Sequence, residues 1–232
     1  MIDVLRATTT LAYAFRAGAR EARFYRTPAS ARRVAARAPV EVLLCGERLG
    51  RRIAGFDLGN SPAEYAPSRV SGATLLFTST NGSRAFLDTR ASDRQWAAAF
   101  VNASAAVAAV AEWLGAPGDE EPAPRIVLVC AGKEGEPALE DSLCAAHLAE
   151  RLSPALERLG WTIETAGDRL PPPPSDPQET VRRLRESPHG RYLRSLGQEF
   201  VTDVERCAEW DALDTVPTGS RGRLSRSGVP GR

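Results

Sequence analysis

What the chain lacks narrows its chemistry first. Lysine occurs once, at Lys133, and histidine twice, at His147 and His189, so arginine supplies nearly all the positive charge. Two histidines so far apart make no metal pair, and no Ser-His-Asp arrangement is visible around them. Each reads as structural, with His147 expected on an exposed helix face. The four cysteines, Cys45, Cys130, Cys144 and Cys207, form no CxxC pair and no zinc spacing, which fits reduced thiols in a cytoplasmic protein. A nucleophilic Cys130 would need a phosphate loop closing on arginine, and none follows before Arg151. No apolar run approaches the roughly 20 residues of a membrane span, and Met1-Ile2-Asp3 does not open a signal peptide. A net charge of +1 offers no field to gather nucleic acid. There is no internal repeat.

What is present is an ordinary globular composition. The 232 residues are 43% hydrophobic and 25% charged, ample for a real core. Strand and helix patterns alternate through the first 150 residues: a strand tail at Ile2–Leu5, a helix from Thr8 to Ala17 ending at Gly18, and a strand near Arg23–Arg26. A Pro28-initiated helix follows, with apolar strands at Val40–Cys45, Ala73–Phe77, Gln95–Val101 and Arg125–Cys130. Helices are predicted from Gly82, over Ala103–Leu114 and over Leu139–Leu152. Such alternation predicts an α/β fold, a mostly parallel or mixed sheet flanked by helices in three layers. Gly115–Pro124, acidic and proline-rich, reads as an exposed loop and Pro171–Pro174 as a break. Beyond it lie a charged helix at Pro177–Glu186 and a second helical region to Asp211. The expected division is one domain over 1–217 and a disordered tail over 218–232. The first strand has almost nothing ahead of it, where a central strand normally has more chain, so a further edge strand is expected upstream.

Polar residues cluster after each predicted strand, where an open parallel sheet binds its ligands. Asp3 and Arg6 follow the first, Glu47 and Arg48 follow Cys45, Thr78 to Gly82 follow Phe77, Asn102 follows the next, and Ala131 and Gly132 follow Cys130. In DVLRATTT a carboxylate, an arginine and the helix-opening Thr8, Thr9 and Thr10 suit an anion and a metal together, although threonines also cap helices well. TSTNGSRA offers Thr80, Asn81, Gly82 and Arg84, either as an anion loop or as a tight turn. GFDLGNSPAEY contributes Asn60 on the same two readings. Glu140 and Asp141 open a helix, as partners of its dipole or as holders of a divalent ion.

Taken in order, IDVLRATTT, GERLG, GFDLGNSPAEY, TSTNGSRA, FVNASA and VCAGKEGEPALEDSLCAAHLAERL resemble the 2-phosphosulfolactate phosphatase family. SPHGRYL, RSLG, DVERCAEWD and Val216–Pro217 are similar to its C-terminal part. Ser79 and Pro137-Ala138 depart from the family's usual strings. The resemblance implies Mg²⁺-dependent hydrolysis of 2-phospho-3-sulfolactate, or of a related phosphorylated 2-hydroxy acid, as in coenzyme M biosynthesis. The site expected on this basis has Asp3, Glu140 and Asp141 at the metal, with Asp3, Glu47 and Arg6 catalytic. Thr8, Thr9, Thr10, Asn60, Thr80, Asn81, Gly82, Arg84 and Gly132 are expected at the substrate. The partner is a small molecule, with no nucleic acid or membrane, and a homo-oligomer is left open. The alternative is an α/β module that binds an anionic metabolite without turning it over.

Overall fold

The computed structural model describes residues 1–115, 125–160 and 170–226. Its centre is a seven-stranded mixed sheet in the order β3-β2-β4-β1-β7-β6-β5. β4 (Thr74–Thr78) lies parallel between β1 (Glu21–Phe24) and β2 (Val42–Arg48), with Leu75 level with Ala22 and Leu43. β3 (Arg51–Arg52) folds back on the end of β2. On the other side β1 pairs antiparallel with β7 (Arg223–Arg226), β7 with β6 (Pro217–Ser220), and β6 with β5 (Gln95–Trp96).

Helices cover both faces because β4 alternates between two apolar clusters. Leu75 and Phe77 point to one face, where they pack with Leu11 and Phe15 of α1 (Ala7–Arg16) and Phe86 of α4 (Gly82–Asp88). Leu76 points to the other, against Phe56 and Ala31 of α2 (Pro28–Ala35). Thr27 caps α2 through the Ser30 N–H, and Pro28 occupies the first turn, where its missing N–H costs nothing. A four-residue α3 (Pro67–Val70) precedes β4. A further core joins Ile2, Val4 and Phe100 to α5 (Ala103–Leu114), α6 (Leu139–Arg158) and three C-terminal helices, α7 (Pro177–Glu186), α8 (Pro188–Arg194) and α9 (Gln198–Cys207).

Four expectations are corrected. The first strand is reduced to single parallel bridges, Ile2 to Ala98 and Ile2 to Cys130. Gln95–Val101 is a strand only at Gln95–Trp96 and then turns into a 3₁₀ turn at Phe100–Asn102, held by the Asn102 side chain on the Ala97 and Thr215 carbonyls. Arg125–Val129, despite its apolar run, forms no named strand, and Val127 is 67% exposed. The supposed tail from Pro217 is ordered as far as Arg226: β6 and β7 are a hairpin that fills the sheet between β1 and β5, with Leu224 buried in the α1 core. The Gly/Ser composition there serves the turn and the close approach of Gly219 to the Arg223 carbonyl. The loop 116–124 and residues 227–232 lie outside the described residues.

Candidate functional site

Two cavities lie beside the sheet. The larger, about 390 Å³, is lined largely by apolar groups including Val107, Val110, Trp113, Ile126, Leu128 and Leu152. Among the described residues that line it there are no paired carboxylates. The smaller, about 150 Å³, opens beyond the carboxyl ends of β2 and β4 and is lined by Asp3, Arg6, Glu47, Asn60, Thr80, Asn81, Lys133 and His189, among others. The chemistry gathers in the second.

Asp3 follows the Ile2 bridge directly and is 7% exposed. One oxygen accepts the Ala7 N–H (3.2 Å), so the carboxylate also caps α1. Its other oxygen lies where a Cβ on Gly82 would collide with it, which is why glycine stands there. Burial raises the Asp3 pKa to about 6; the charges of Glu47 and Glu140 add to the effect, while the Ala7 N–H and His189 oppose it.

Glu140 and Asp141 occupy the first turn of α6 and are both buried. Their roles separate. Asp141 spends one oxygen on the Val4 N–H (2.8 Å) and the other on the Gly132 N–H (3.0 Å). It therefore ties the segment after Ile2 to the loop after Cys130. Burial, then the nearby charges of Asp3 and Glu140, push its pKa well above the usual carboxylate range. Glu140 has Oε1 at 2.8 Å from His189 Nδ1, while its Oε2 is buried with no hydrogen-bond partner. Glu47 engages both of its oxygens, accepting the Thr80 N–H (2.7 Å) and the Gly50 N–H (2.9 Å). It braces the ends of β2 and β4 and has no oxygen left over from those two amides.

Arg6 is nearly fully buried. It pairs with Asp203 of α9, donates to the Gly50 carbonyl (2.5 Å), and stacks on Phe200 at 5.0 Å. Asp203 also receives the Ser61 hydroxyl (2.7 Å), so the guanidinium is fixed in place.

The three threonines do not reach the cavity. Thr8, Thr9 and Thr10 are fully buried, and their hydroxyls donate to the Asp3, Val4 and Asn60 carbonyls. They lock the entry to α1 instead of offering hydroxyls to a ligand. Arg84 is a second correction: it is 67% exposed, pairs with Asp88 at 3.4 Å, and does not line the cavity. Gly132 serves by its backbone, since its φ of 66° and the adjacent Glu136 carbonyl leave no room for a Cβ. Asn60 and Asn81 do line the cavity; Asn60 Oδ1 is buried without a partner, and Asn81 Oδ1 accepts the Glu134 N–H (3.0 Å).

Two residues that sequence reasoning left out are present: His189, at the start of α8, and Lys133. The faint signals were the SPHG string, which places a histidine in a proline-initiated first turn, and the solitary lysine in an arginine-rich chain. The other histidine is corrected too. His147 is 2% exposed, between the rings of Phe100 and Trp210, and burial lowers its pKa to about 4.

A divalent cation fits this donor set. Asp3 and Glu140 are like charges close enough to raise Asp3, and Glu140 Oε2 is an orphaned buried acceptor, a costly arrangement without a counter-charge. Among the described residues no three Asp, Glu, His or Cys groups form a ready cage. Mg²⁺ does not require one, because it commonly takes one or two carboxylates together with substrate phosphate oxygens and water.

The family model described as 2-phosphosulpholactate phosphatase matches residues 1–222. A protein of Synechococcus sp. (strain JA-2-3B'a(2-13)) named as a probable 2-phosphosulfolactate phosphatase is 37% identical over 217 residues, 93% of this chain and 86% of that protein. Proteins of the same name from Thermosynechococcus vestitus and Thermotoga petrophila are 39% identical over 223 residues and 38% over 226. These alignments span 93% and 94% of this chain, and 86% and 87% of those proteins.

Proposed function

The chain belongs to the 2-phosphosulfolactate phosphatase family and is a phosphoric monoester hydrolase, and from that premise we propose a Mg²⁺-dependent enzyme that hydrolyses 2-phospho-3-sulfolactate or a closely related phosphorylated 2-hydroxy acid. The observation that carries the reading is the meeting of Asp3 and Glu140, 137 residues apart in the chain, at one rim beside a fixed arginine. Glu140, bonded to the cavity residue His189, keeps its other oxygen buried and unpaired.

Asp3 and Glu140 would hold the cation. When bound, Mg²⁺ supplies positive charge to phosphate oxygens and lowers the pKa of a coordinated water. The remaining work falls to the chain. Arg6, whose plane is set by Asp203 and Phe200, presents a cation to the anionic substrate without having to order a long side chain first. Asn60 and Asn81 supply amide groups on the cavity wall. His189 holds Glu140 by one oxygen and so fixes which oxygen is free. Asp141 and Glu47 keep the rims of the sheet at fixed separation and act through position alone. Water is favoured as the attacking group over Asp3, which lacks the partner aspartate two residues on that haloacid-dehalogenase-type phosphatases use; Leu5 stands there. Hydrolysis then releases the free hydroxy acid and inorganic phosphate. The four unpaired cysteines fit a reducing, cytoplasmic setting.

The test is phosphate release from 2-phospho-3-sulfolactate, 2-phospholactate and phosphoglycolate, with Mg²⁺ and with EDTA. Turnover that needs Mg²⁺ is expected on at least one of them. Failure on all three, or equal rates in EDTA, overturns the reading.

A further inference from the structure

The cavity contains three basic side chains, Arg6, His189 and Lys133, and the first two already have carboxylate partners. Arg6 is paired with Asp203, and His189 is bonded to Glu140. Lys133 belongs to none of the ion pairs formed by the described residues. It is also the chain's one lysine. Its loop is built to hold it there. The Lys133 N–H donates to the Glu136 carbonyl (2.8 Å) and the Glu136 N–H returns to the Lys133 carbonyl (3.0 Å), closing a tight turn through Glu134 and Gly135, both at positive φ. Gly132 anchors the turn to Asp141 on one side, and Glu134 anchors it to Asn81 on the other. The ammonium stands 4.5 Å from the centroid of the Tyr192 ring, and the Tyr192 hydroxyl is itself held by the Leu49 carbonyl (3.2 Å). A ring face orients an ammonium without consuming its N–H donors.

Depth orders the charges. Asp3 and Glu140 are 7% and 1% exposed, whereas Lys133 is half-buried. A phosphate drawn to the deep carboxylates and their cation leaves the other acidic group of a phosphorylated hydroxy acid nearer the mouth. We propose that Lys133 binds that second acidic group, carboxylate or sulfonate, and so makes the enzyme selective for phosphate esters that carry another anion beside the ester carbon. This deepens the phosphatase reading above and rests on it.

The experiment compares the wild type with Lys133→Met and Lys133→Arg on three esters: 2-phospho-3-sulfolactate, 2-phospholactate and isopropyl phosphate, which has no second anion. The expected result is that Lys133→Met lowers kcat/KM on the two anionic esters by about 10–100-fold more than on isopropyl phosphate, chiefly through KM. Lys133→Arg should restore much of the difference. A larger loss on the sulfonate ester than on 2-phospholactate assigns the contact to sulfonate, and equal losses assign it to carboxylate. An equal loss on all three esters overturns the proposal, because Lys133 would then serve the phosphate or the fold; no loss on any also overturns it. A second arm needs no turnover. Calorimetric binding of sulfolactate and of inorganic phosphate should show sulfolactate weakened about 10-fold or more relative to phosphate in Lys133→Met. Failure of wild-type turnover with this shift intact would sink the phosphatase reading and leave the anion contact standing.

Discussion

β4 and the run Arg125–Cys130 are written in the same alphabet, TLLFT against RIVLVC, yet the fold treats them oppositely. β4 has a parallel partner on each side, and all five of its residues are buried. Arg125–Cys130 touches the sheet through one bridge, Cys130 to Ile2, and Val127 is 67% exposed. An apolar run therefore reports that a segment can be buried, while its neighbours decide whether it is. The two regions also end in different chemistry. At the end of β2, Glu47 accepts one backbone amide on each oxygen, from Gly50 and from Thr80 just beyond β4, and the rim is a brace. Around Ile2 and Cys130 the rim contains Asp3, the Asp141-tied loop and Lys133, and the carboxylate oxygens left for a ligand lie there.

If the reactive groups belong to the Ile2–Cys130 side, Asp3→Asn should cut kcat by about 10³-fold, roughly 4 kcal/mol, in steady-state phosphate release. A milder loss there than in Glu47→Gln would reverse the contrast. The stability of the two runs should differ almost as much. Leu75→Ala, at a fully buried position, should cost about 3 kcal/mol in urea unfolding, and Val127→Ala within about 0.5 kcal/mol of nothing. Glu47→Gln turns one carboxylate oxygen that receives an amide N–H into an NH₂. It should lose about 2 kcal/mol of stability while keeping kcat within about 10-fold. A pH effect is of similar size. Burial raises Asp3 from 3.8, its ordinary value, to about 6, so without divalent cation the folded protein binds that proton more tightly than the unfolded chain. The stabilisation is full below about pH 4 and fades as pH rises to about 6, on the order of 2 kcal/mol in thermal unfolding; Asp3→Asn should flatten the slope.

Much of this was legible in the residues. Pro28 and Pro177 marked helix starts, Gly18 marked an end, and the strand-end placement of Asp3, Glu47 and Asn81 located the cavity before any contact was known. Composition misled where partners decide. Thr8, Thr9 and Thr10 look like anion ligands because a hydroxyl next to a helix start suits both a phosphate and a backbone carbonyl, and here the carbonyls are closer. Pro217–Arg226 looks like tail because glycine and serine are scarce in most strands, but the pairing of β7 with β1 supplies what propensity does not. His189 stayed hidden because its partner, Glu140, lies 49 residues away in sequence.

The tie between the Val4 N–H and Asp141 closes a loop of 137 residues, and the pairing of Arg6 with Asp203 closes one of 197. Contacts of such long range carry a larger loop-closure entropy cost than local helices do, and they slow folding. The carboxylate pair needs α6 and the fixed arginine needs α9, so the rim is complete only where the segment from Asp3 to Arg6 has met both helices.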